Sequence, residues 1–75
     1  MERGIKGYVR IASFIFKCEL IQKVELFKVR KSQWDIVVYI LLGERANEVN
    51  IGSFSKYFLA EDYFNTIIKV LNGEE

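Results

Sequence analysis

Seventy-five residues with no proline and no break in composition leave room for one hydrophobic core, so residues 1–75 read as a single small domain. One cysteine and no histidine exclude an intrachain disulfide, a Cys/His metal site and every histidine-dependent catalytic arrangement. The net charge is only +1, whereas 51% of the chain is hydrophobic and 15% aromatic, more than so small a body hides; the surplus is expected on the surface as a contact patch.

From Ile5 to Phe16 the chain is dense in β-branched and aromatic residues, with apolar members in both alternating sets. This pattern predicts a strand or a bent pair of strands, with Gly4 and Gly7 bracketing its start. Lys17 to Val24 is ambiguous, because Cys18, Ile21 and Val24 also satisfy a helical spacing; a turn, or one helical turn, is expected before an extended segment Val24 to Arg30. Lys31-Ser32-Gln33 is a polar turn. Trp34 to Leu42 is apolar on both faces and is expected at the centre of the sheet. Gly43 to Asn47 has the residue types of a hairpin loop, and Val49 to Phe54 supplies the return strand.

The last element is a helix. Ser55 is its expected cap, Phe54 and Leu59 have hydrophobic-staple spacing, and Asn72-Gly73 ends it, leaving Glu74 and Glu75 as a tail. Tyr57, Ala60, Phe64, Ile67, Ile68 and Leu71 fall within one arc, predicted to face the sheet, and Leu59, Tyr63 and Val70 form a second apolar set beside it. Strands first and helix last favour an α+β fold: an antiparallel sheet of about four strands, followed by one C-terminal amphipathic helix packed on one face.

The apolar run Ile11 to Phe16 stops at Lys17 with no cleavage signal, and Ile36 to Leu42 is far shorter than the roughly 20 residues that span a bilayer. No membrane partner is expected, and the lone free thiol fits a cytoplasmic location. Cys18, without a histidine to activate it, reads as a small buried apolar residue. Glu44 and Glu48 flank a loop, Glu61 and Asp62 point about 100° apart on a helix, and the glycines match no phosphate-cradling loop. The expectation is therefore a protein that is not an enzyme, with no cofactor and no metal.

Charge is distributed unevenly. Residues 1–34 carry eight Lys/Arg against Glu2, Glu19 and Glu25, whereas residues 35–75 carry Arg45, Lys56 and Lys69 against seven acids. Lys28, Arg30 and Lys31 lie next to Phe27 and Trp34, a basic and aromatic strand that suits single-stranded DNA or RNA. Charged residues also protect edge strands from aggregation, and the acidic second half repels a polyanion. On the helix, Phe58 sits among polar residues, and with Leu59, Tyr63 and Val70 it forms the candidate protein contact. A core this small, with neither disulfide nor metal, gains most from self-association. The leading expectation is a non-catalytic protein-binding module, a regulator, adaptor or inhibitor that binds an unidentified protein and forms a homodimer. The alternative is a nucleic-acid-binding domain.

Overall fold

Residues 8–17 fold back on themselves through a two-residue turn, Ala12-Ser13, to give β1 (Tyr8–Ile11) and β2 (Phe14–Lys17) in the computed structural model, which describes residues 7–73. Ala12 takes a left-handed φ of 56° there. Pairing Val9 with Phe16 and Ile11 with Phe14 puts the apolar set on one side; Tyr8, Arg10, Ile15 and Lys17 occupy the other. The expected "bent pair" is thus a hairpin. Gly4 and Ile5 at the expected strand start, and the tail Glu74-Glu75, lie outside the described residues.

One turn of 3-10 helix, Cys18–Leu20, leads into β3 (Ile21–Arg30), which begins three residues earlier than its spacing predicts. A meander follows: β4 (Gln33–Leu42) and β5 (Arg45–Phe54), all antiparallel, with β4 in the centre as expected. The β4–β5 loop is only Gly43-Glu44, because Gly43 supplies the φ of 66° that a tight hairpin turn needs. With the hairpin there are five strands in two sheets and one helix, an α+β arrangement.

The three-stranded sheet has a covered face and an open one. On the covered face Leu26 pairs with Ile36 and Val24 with Val38, which in turn pairs with Val49. A bulge in β5 lets Ile51 join them, 7% exposed, while its neighbour is Gly52, where an added Cβ would stand 3.1 Å from the Phe54 ring. Helix α1 (Tyr57–Leu71) lies on this face. It ends at Asn72-Gly73 as expected, Gly73 taking φ 83°.

Its start differs from expectation. The N-cap is Lys56, not Ser55, and no side chain caps it. Its buried face is also turned toward the second apolar set: Ala60, Ile67 and Val70 are buried, with Tyr63, Phe64 and Leu71 packed beside them. The physical reason is the hairpin, whose Val9, Ile11 and Phe16 join the same core and offer the helix a second wall. The described residues measure 37 × 30 × 18 Å, and 18 Å is the depth of two layers, so among them no second element lies on the other sheet face.

Candidate interaction surface

One end of the domain gathers its aromatic residues. Pairing aligns Lys28, Trp34 and Phe54 in a row across β3, β4 and β5, and the helix begins just beyond Phe54. The Tyr57 ring meets Trp34 edge-on at 6.0 Å, and Phe54 meets Tyr63 at 5.7 Å. Lys28 Nζ lies 5.8 Å from the centre of the Trp34 ring, and Lys56 Nζ lies 6.0 Å from that of Phe58. Tyr57 donates its hydroxyl to Glu61 Oε2 at 3.0 Å, and this bond raises the phenol's pKa.

Much of this end is open. Tyr57, Phe58 and Leu59 are 48%, 63% and 46% exposed. Successive helical residues point about 100° apart, so the three ring the first turn instead of forming a stripe. Chemically the end offers broad apolar contact and two cations. Among the described residues the ion pairs are Lys17–Glu19 and Lys23–Glu25, which leaves Lys28 and Lys56 without a carboxylate partner there.

Residues proposed from the sequence divide as follows. Lys28 and Trp34 stand together, as the basic-strand reading requires. Phe27 does not join them: it pairs with Asp35 on the open face of the sheet. Arg30 pairs with Gln33 and lends its charge to Asp35, while Lys31 is exposed in the β3–β4 turn. On the helix, Phe58 and Leu59 are at the surface. Tyr63 turns inward against Phe54, and Val70, only 6% exposed, is a core residue and not a surface contact. Tyr57 and Lys56 are the residues that sequence reasoning missed. Spacing assigned Tyr57 to the sheet-facing stripe, and the one signal for Lys56 is a cation where a capping side chain is usual.

The open sheet face carries a different cluster around Asp35, a carboxylate only 8% exposed. Gln33 Nε2 donates to its Oδ1 at 3.2 Å and Asn50 Nδ2 to its Oδ2 at 2.9 Å. Asn50 Oδ1 accepts the N–H of Gly52 at 3.0 Å, so the network reaches the β5 bulge. Hydrogen bonding from Ser53, aided by Gln33, Asn50 and the charge of Arg30, outweighs burial and holds the Asp35 carboxyl below its ordinary pKa. Such a group is a stable anion with its lone pairs engaged, suited to holding strands in register and poorly suited to proton transfer. Among the described residues no cluster of three or more His, Cys, Asp or Glu side chains is placed to hold a metal, and no helix is long and apolar enough to cross a membrane.

No family model matches the chain, and comparisons with curated proteins and with solved structures likewise find no match.

Proposed function

We propose that this domain is a non-catalytic protein-binding module and that the aromatic end around the start of α1 is its contact surface. The observation that carries the reading is the exposure of Tyr57, Phe58 and Leu59 on the first turn of a fifteen-residue helix whose other apolar residues pack inward. Aromatic side chains on a rigid element suit the anchor role at protein interfaces, since they bring large area at small entropic cost. Self-association belongs to the same proposal: a small core supplies only about 3–5 kcal/mol, and a second copy seated on exposed apolar area adds to it.

Multi-angle light scattering across micromolar concentrations tests this. The expected result is a dimer for the parent chain and a folded monomer for Phe58→Glu, the parent unfolding at the higher urea concentration and the gap closing as the protein is diluted. A parent chain that stays monomeric throughout removes the self-association.

A second reading, binding of single-stranded nucleic acid, draws on the Lys28–Trp34 pair. The position of Phe27 on the opposite face weakens it, because no continuous stacking track then follows the basic strand. Titration with oligo(dT) while following the fluorescence of Trp34, the one tryptophan, tests it at low and moderate salt. Salt-sensitive, saturable quenching is the outcome that favours it.

A further inference from the structure

From the charges that frame the aromatic end we infer that the partner it takes is a peptide segment combining acidic with apolar side chains. This inference rests on the proposed contact surface and specifies the chemistry of its occupant. Three observations carry it.

The first is the pairing of each cation with a ring. Lys28 lies over Trp34 and Lys56 over Phe58, and neither has a carboxylate within ion-pairing distance among the described residues. The two ion pairs, Lys17–Glu19 and Lys23–Glu25, show that lysines here do find acids when the fold supplies them. An incoming Asp or Glu therefore meets a cation that is held in place by an aromatic face and not already neutralised.

The second is the start of the helix. A lysine at the N-cap opposes the helix dipole, the first turn contains no acidic residue, and no side chain bonds the free N–H groups there. Ser55 stands one position too early to serve. Local chemistry that disfavours the isolated fold is expected where a partner compensates for it, and a partner's carboxylate satisfies both the lysine and the helix end.

The third is the mixture of ring and aliphatic surface. Leu59 is 46% exposed beside Phe58, and an aliphatic side chain offers nothing to a stacked base. Glu61, engaged by the Tyr57 hydroxyl, and Asp62 after it place negative charge on the next turn. A continuous phosphate backbone crossing this end runs into those acids. A peptide with two or three spaced carboxylates carries fewer charges past those acids and is repelled less.

The test uses the intact domain against a displayed library of random twelve-residue peptides, with counter-selection on the Phe58→Glu variant. Selected peptides are then synthesised with each Asp and Glu as found, and again as Asn and Gln. The expected result is enrichment of sequences with at least two acids around an aromatic or aliphatic residue. Their affinity should fall about tenfold or more on amidation, and similarly for a Lys28→Glu/Lys56→Glu variant that unfolds at the parent's urea midpoint. Peptides that need Phe58 but bind equally well after amidation overturn the acidic partner and leave the contact surface standing. A library that yields no Phe58-dependent peptide overturns the acidic partner, and a parent chain that is also monomeric overturns the contact surface with it. Tighter binding of oligo(dT) than of any selected peptide assigns the end to nucleic acid and overturns both as well.

Discussion

Asp35 is the residue whose surroundings make the sharpest statement about stability. It lies on the open face of the sheet yet is nearly inaccessible, with Gln33 and Asn50 donating to its two oxygens and Ser53 opposite it on β5. Its folded-state pKa is lowered from the ordinary 3.8. The ionised form is thus favoured by folding, so its contribution is complete well above pH 3.8 and is lost as pH falls through the lower folded-state value. Replacing Asp35 by Ala leaves the Asn50 amide without its acceptor and is expected to cost about 1–3 kcal/mol at pH 7. The difference between parent and variant in urea melts should shrink steadily below pH 3.8; an equal difference at pH 7 and pH 2.5 contradicts the assignment. The cost should also appear as loosened pairing at the β5 bulge, since Asn50 joins Asp35 to the Gly52 amide.

At the scale of elements, the helix start offers a test of what is absent. Ser55 has no capping role, so Ser55→Ala should change stability by no more than about 0.5 kcal/mol. Lys56→Ser, which places a capping hydroxyl at the true N-cap, should raise it by about 0.5–1 kcal/mol. The two thermal melts discriminate directly: if Ser55→Ala is the damaging change, the helix begins one residue earlier in solution. This element also shows what the sequence reveals and what it hides. The 3.6-residue periodicity and the Asn72-Gly73 ending made the helix and its length legible, and β-branched density made Trp34 to Leu42 legible as the central strand. The start was not, because Ser55 has the residue type of a cap, yet the path of the chain after Phe54 puts Lys56 at the N-cap. The Ala12-Ser13 turn was hidden for a similar reason: its left-handed residue is an alanine, and no Gly or Asn announces it. The aromatic end was half legible. Phe58, Leu59, Lys28 and Trp34 each stood out, but their convergence is a product of strand register, and the same register moved Phe27 to the other face.

The whole molecule depends on a core to which every layer contributes a few side chains. Ile11 of the hairpin and Ile67 of the helix both have 0% exposure in one cluster with Ile36 and Val38. Truncating either to Ala is expected to cost about 2–5 kcal/mol, comparable with the entire stability of a domain this small. Denaturant melts should therefore show both variants largely unfolded near room temperature in the absence of a partner. If Ile11→Ala leaves the main transition in place, the hairpin is an appendage and not part of the core. Dimerisation adds to stability through mass action, so these melts belong at fixed protein concentration.

The hairpin is its own two-stranded sheet, and among the described residues no backbone hydrogen bond ties it to the larger one. Among the described residues it is attached through the side chains of Val9, Ile11 and Phe16. Deuterium uptake should register this difference in attachment. Amides of the short strands β1 and β2 are expected to exchange faster, through fraying, than those of β4, which is bonded on both sides and exchanges only with the whole. Residues 8–17 can then fray at their ends, whereas full departure of the hairpin withdraws Val9, Ile11 and Phe16 from the shared core and takes the meander and helix with it.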